Sequence, residues 1–139
     1  MTREILFKAK RKNWRELPKE EWWVEGYYMP RPNSPGKPRY YIVPLSQAKR
    51  YEIDPETLCQ STGMVDRNRN LIYKNDICVI RSSNIDEEDG YFIVKWDDEC
   101  AKYVLEGESL AVDFDYIYGS ECEIIGNIFD NPELLGGAE

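Results

Sequence analysis

The sequence predicts a mostly-β protein, an N-terminal β-meander followed by a small barrel or strongly bent sheet. Three observations predict it. Short segments with apolar residues at alternate positions recur along the chain, the period of a half-buried strand. Clusters of Pro, Gly, Asn and Asp separate them, residue types that form turns and interrupt ladders. Large rings are abundant, with four Trp, ten Tyr and four Phe in 139 residues, and rings favour the pleated surface of a sheet.

Ile5, Phe7 and Ala9 alternate within Arg3 to Ala9 and predict a first strand. The basic run Lys8 to Lys12 leads to Trp14, and Leu17 to Glu21 reads as a turn or one helical turn. Trp22 to Met29 is a second, aromatic strand. Met29 to Pro38 holds four prolines and a glycine and reads as a loop, after which Arg39 to Pro44 returns as a strand. Asp54-Pro55-Glu56 has the order of a helix start: a capping side chain, a proline at the first position and an acid at the positive end of the dipole. Gly63 limits such a helix to two turns. From Leu71 onward short strands alternate with turns. Ile77 to Arg81 is continuously apolar, Tyr91 to Trp96 places Phe92, Val94 and Trp96 on one face expected to be buried, and Ala101 to Leu105 and Glu123 to Phe129 complete the set. Asp86 to Gly90 and Asp97 to Glu99 are acidic turns. Asn131-Pro132-Glu133 repeats the helix-start pattern. The expected organisation is a basic β subdomain over 1–53, a short helix and turn connector over 54–70, and an acidic β subdomain over 71–139.

Composition narrows the function. No histidine is present, which removes the usual general base, the usual activator of nucleophiles and the commonest metal ligand. Cys59, Cys78, Cys100 and Cys122 are too scattered for a zinc or redox pair and read as free thiols. No cofactor is implied, and the expectation is a protein that is not an enzyme. No apolar run reaches the roughly 20 residues of a membrane span, and no signal-like stretch opens the chain, so the expected compartment is the cytoplasm, without membrane association. Residues 1–50 carry 12 Lys/Arg against 5 Asp/Glu, and residues 51–139 carry 6 against 21. Opposite charge in the two halves suits solvated surfaces, head-to-tail pairing of copies, or nucleic-acid binding by the basic half.

Asp54-Pro55-Glu56-Thr57-Leu58-Cys59-Gln60-Ser61-Thr62-Gly63, then Asp66-Arg67-Asn68 and Ile72-Tyr73-Lys74-Asn75-Asp76-Ile77, resembles the YopX family of phage and prophage proteins, whose pattern there is close to DPETxxQxTGxxDxNGxxIYEGDI. Val94 to Glu99, Ile125 to Leu135, Arg3 to Ala9 and Trp23 to Tyr27 agree with it. The resemblance implies two β-rich parts, the second an SH3-like barrel, and brings no catalytic or binding residue. Two departures bear on turns. Arg69 stands where the family has a glycine, which puts that turn's type in doubt, and Asn75 replaces another, where asparagine is the next best residue for a left-handed conformation.

Asp66, Asn68 and Asn70 match the first positions of a calcium loop, but Leu71 and Ile77 stand where it needs glycine and a bidentate glutamate, so a polar β-turn is the better reading. The acidic runs, Asp113-Phe114-Asp115 included, read as solvated turns rather than metal ligands. The candidate contact residues for a partner or nucleic acid are Lys8, Lys10, Arg11, Lys12, Trp14 and Arg15, cations interleaved with a ring. The expected role is a non-enzymatic phage binding protein that associates with itself and with a host or phage protein; the alternative is a nucleic-acid accessory protein using the basic, aromatic half.

Overall fold

The computed structural model describes residues 5–81, 89–107, 111–113 and 121–135. Their strands are β1 (Phe7–Lys10), β2 (Trp23–Arg31), β3 (Arg39–Val43), β4 (Tyr51–Glu52), β5 (Cys59–Val65), β6 (Leu71–Tyr73), β7 (Asp76–Ile80), β8 (Gly90–Asp97), β9 (Lys102–Glu106), β10 (Ala111–Asp113) and β11 (Cys122–Asn127). Among the described residues the only helical elements are 3-10 turns, at Trp14–Glu16, Lys19–Glu21, Pro55–Thr57 and Pro132–Leu135. The chain is mostly β, as its alternation predicts. It forms two compact units, Met1–Ser61 and Thr62–Glu139.

In the first unit the strand order is β4-β3-β2-β1-β5, antiparallel throughout. Phe7 and Ala9 face a core of Ala9, Val24, Ile42 and Ile53, against which Tyr28, Tyr40, Tyr51 and Leu58 also pack. Tyr28 sits between Phe7 and Tyr40, with ring centroids 5.3 and 6.5 Å away; burial, then the neighbouring Tyr40, push its phenol up. Gly26 is required by close approach, because a Cβ there would overlap the Val43 carbonyl oxygen. β2 runs through Pro30 to Arg31, so the proline-rich connection is shorter than expected.

The segment 54–70 holds the expected short helical turn and polar turn, with a strand, β5, between them. Asp54 does cap, its Oδ1 accepting from Glu56 N at 3.1 Å, but the chain makes one 3-10 turn and leaves it as β5 at Cys59. Burial follows the strand, with Cys59, Ser61 and Thr62 buried and Gln60 and Gly63 exposed, the alternation breaking between Ser61 and Thr62. The division between the units falls inside this strand.

In the second unit β5 pairs with β6, and five further strands follow in the order β10-β9-β8-β7-β11. A meander whose first strand also takes the last strand is the order of an SH3-like barrel. β7 lies between β8 and β11, which accounts for its uninterrupted apolar sequence: Ile77, Cys78 and Val79 are all fully buried. Ile72, Cys78, Val94, Leu105 and Cys122 form the core. A hydrogen bond with Cys122, together with burial, pushes the Cys78 thiol up. All four cysteines are free, and Cys100 is exposed.

The expected face of β8 holds only in part. Val94 is fully buried and Phe92 packs on the core, but Trp96 is 42% exposed. The period is right; the core ends before the strand does, and Trp96 lies instead edge-on to its cross-strand partner Tyr103, with centroids 4.9 Å apart. The expected acidic turn at 86–88 lies outside the described residues, as do Phe114 and Asp115.

Trp96→Ala should therefore cost about 1 kcal/mol, the scale of one exposed ring pair, whereas Leu105→Ala, which opens a cavity in the core, should cost roughly 2–5 kcal/mol. Urea unfolding of both variants checks the contrast, and equal losses would place Trp96 in the core.

Candidate functional site

β1 alternates, sending Ala9 into the core and Lys8 and Lys10 to the other face. Lys10 is nevertheless only 3% exposed. Its ammonium lies 3.8 Å from the ring centroid of Trp14, 4.5 Å from Trp22 and 5.7 Å from Trp23. Trp14 and Trp22 meet edge to face at 4.8 Å, and Trp22 is fixed by its Nε1–H, which donates to the Leu17 carbonyl at 3.0 Å. Indole faces attract a cation that burial has removed from water, a contact worth up to about 2 kcal/mol each. The Trp14 Nε1–H is buried without an acceptor.

The backbone of Lys10 is held as firmly. Its N–H donates to Thr57 Oγ1 at 2.8 Å, and its carbonyl accepts from Asp54 N at 2.9 Å. Thr57 Oγ1 in turn donates to the Asp54 carbonyl at 2.7 Å. The Asp-Pro-Glu-Thr segment thus anchors the end of β1.

The six sequence-predicted contact residues fall into two groups. Lys8 lies over Trp23 at 5.0 Å and Arg15 over Trp14 at 4.3 Å, so Lys8, Lys10, Trp14 and Arg15 gather around the indoles. Arg11 and Lys12 point to β4: Arg11 lies over Tyr51 at 4.7 Å and 3.8 Å from Glu21, and Lys12 is 3.2 Å from Glu52. Lys10 is consequently not a surface cation. Sequence reading missed the partners of Lys12. Arg39 reaches the same Glu52 at 3.6 Å, and the nearby Lys12 ammonium lowers Lys37 from its ordinary value; these contacts depend on strands that sequence spacing does not join.

In the second unit the motif residues serve the backbone. Asp66 is 3% exposed. Its Oδ1 accepts from Asn68 N and Asn70 N, both at 2.9 Å, and its Oδ2 from Ile124 N at 3.0 Å. A carboxylate so occupied is a turn clamp. The turn passes through Arg69 at φ 67°, so this position keeps its left-handed backbone without glycine, and Asn75 takes φ 76° as its residue type allows. Asp76 Oδ2 accepts from Tyr73 N at 2.8 Å. Asn127 Oδ1 accepts from Phe129 N and Asp130 N, and Asn131 Oδ1 from Asn127 N. Gly126 is needed beside it, since a Cβ would overlap Asn131 Oδ1. Asp97 Oδ1 accepts from Glu99 N and Cys100 N, making that acidic run a turn as well. Among the described residues no three His, Cys, Asp or Glu side chains converge as metal ligands.

Asp66→Ala strands three backbone N–H groups and should cost about 3 kcal/mol or more. Asp66→Asn, whose carbonyl oxygen can still take the two turn N–H groups, should fall between it and the parent. Thermal or urea unfolding reads the order, and a loss under about 1 kcal/mol for the alanine variant would remove the clamp from the account. The melting temperature should be the same with and without a chelator, since a metal bound only by the folded state would raise it.

Comparison with known proteins places this arrangement. No curated protein matches the chain. Among solved structures, protein EF1440 from Enterococcus faecalis superposes with a TM-score of 0.58 at 21% sequence identity, over 96% of this chain and 99% of that one, a likeness of fold. A family model described as YopX protein matches residues 14–136. That span takes in the Asp54 turn, the Asp66 clamp, the Asp76 turn and the Asn127–Asn131 turn, and the chain belongs to the YopX family.

Proposed function

We propose that this protein is a phage- or prophage-encoded binding protein without enzymatic activity, acting through self-association and contact with a host or phage protein. The observation that carries the reading is the separation of charge between its two units. Residues 1–61 carry 12 Lys/Arg against 8 Asp/Glu, a balance of +4, and residues 62–139 carry 6 against 18, a balance of −12. Opposite fields on one chain steer copies into head-to-tail encounter and draw partners of complementary charge. Support also comes from the carboxylates: Asp66 and Asp76, the most buried, hold backbone N–H groups rather than facing a cleft.

The nucleic-acid alternative is less well supported. Bases need exposed ring faces on which to stack, whereas Trp14, Trp22, Trp23, Tyr41 and Tyr51 each hold one of the chain's own cations against the ring. The cationic surface left over would bind phosphates weakly and without sequence preference.

Gel filtration with light scattering at low and high salt tests the reading. The expected result is an assembly larger than the 16.4 kDa chain at low salt that dissociates as salt screens the charges. A monomer at micromolar concentration in both buffers would overturn self-association, and retention on DNA with a steep salt dependence would favour the alternative.

A further inference from the structure

The first unit contains a cavity of about 210 Å³ lined by Lys12, Lys37, Pro38, Arg39, Tyr40, Glu52, Ile53, Asp54 and Pro55. Its cations come from two separate places in the chain. Lys12 follows β1 and is tied to β4 by its backbone N–H, which donates to the Glu52 carbonyl at 2.9 Å. Arg39 opens β3, and Lys37 precedes it across Pro38. Glu52 is the shared counter-charge, 3.2 Å from Lys12 and 3.6 Å from Arg39. Among the described residues Lys37 makes no ion pair. Asp54 lines the cavity too, but its Oδ1 already accepts from Glu56 N.

The chemistry is that of an anion site short of its anion. Two ammonium groups and a guanidinium outnumber the two carboxylates of the lining, Glu52 and Asp54, and leave it with net positive charge. The neighbouring Lys12 ammonium lowers Lys37 from its ordinary value. Pro38 and Pro55, with Ile53, form an apolar wall. Cavities that enclose a drug-sized ligand run from about 300 Å³ upward, so this one suits a compact anion or the anionic end of a small molecule. Three cationic donors of fixed origin match the three peripheral oxygens of a phosphate better than the two of a carboxylate, and an arginine fork adds directional hydrogen bonds to a point charge.

We propose that the Lys12–Lys37–Arg39 cavity binds a phosphate group, taken either as inorganic phosphate or as the phosphate of a small monoester. This site is independent of the proposed self-association and stands or falls separately.

Calorimetric titration of the full chain with inorganic phosphate and with phenyl phosphate, at constant ionic strength in chloride, tests it. The expected result is saturable one-to-one binding of at least one of the two. Equal affinity for both would mean that the site reads the anion alone, and tighter binding of phenyl phosphate that the apolar wall holds the organic body. Lys37→Gln and Arg39→Gln should each weaken binding roughly tenfold or more, the loss of one charge-assisted contact. Lys19→Gln changes the net charge equally, on an exposed turn outside the cavity, and should leave binding intact. Circular dichroism melts establish that the variants are folded. No saturable heat with either ligand, or equal weakening by Lys19→Gln and Lys37→Gln, would overturn the proposal, the latter by showing binding to net charge alone.

Discussion

At Asp66 one side chain takes three backbone N–H groups, two from its own turn and one from Ile124, 58 residues further along. A small β unit has few other means of closing on itself. Its turns leave N–H groups that no ladder satisfies, and each left bare in the interior costs about as much as one core methyl group or more. The same solution recurs at Asp76 and Asn127, so that the second unit is stitched by short polar side chains at the places where its strands reverse. The apolar cluster around Val94 and Leu105 supplies the burial; the clamps determine which turn meets which strand.

The signature residues of the YopX family take a different meaning from this geometry. Asp54, Thr57, Thr62, Asp66 and Asp76 all bond to backbone groups. They identify a fold by its turns, and the cations of the first-unit cavity, Lys12, Lys37 and Arg39, lie outside the pattern. A family defined by such residues can share architecture while its members differ in what they bind.

The strands with clean alternation were legible: Phe7 with Ala9, the β2 aromatics, the continuous apolar run of β7, and Val94 in β8. β5 was not, because Gln60, Ser61 and Gly63 are poor strand formers and Asp54-Pro55-Glu56 imitates a longer helix. The Trp96 side chain misled for another reason, since periodicity gives the face of a residue but not where the core beneath it stops. At the candidate site, the grouping of Lys8, Lys10, Trp14 and Arg15 was visible as a basic, aromatic run. The burial of Lys10 was not, because a lysine reads as surface until the rings around it are placed. Nor could spacing show that Lys37, Arg39 and Glu52 converge on Lys12, as that depends on the return of β3 and β4 beside one another.

The indole box has an optical consequence. Three of the chain's four tryptophans surround one ammonium group in the first unit, and the fourth, Trp96, stands half in solvent beside Tyr103. The emission of the protein therefore divides into two populations, one partly buried and adjacent to a fixed positive charge, the other more exposed. The edge-to-face Trp14–Trp22 pair adds an excitonic couplet to the ultraviolet dichroism that belongs to the first unit alone. Melting of the two units can be followed separately in a single unlabelled sample.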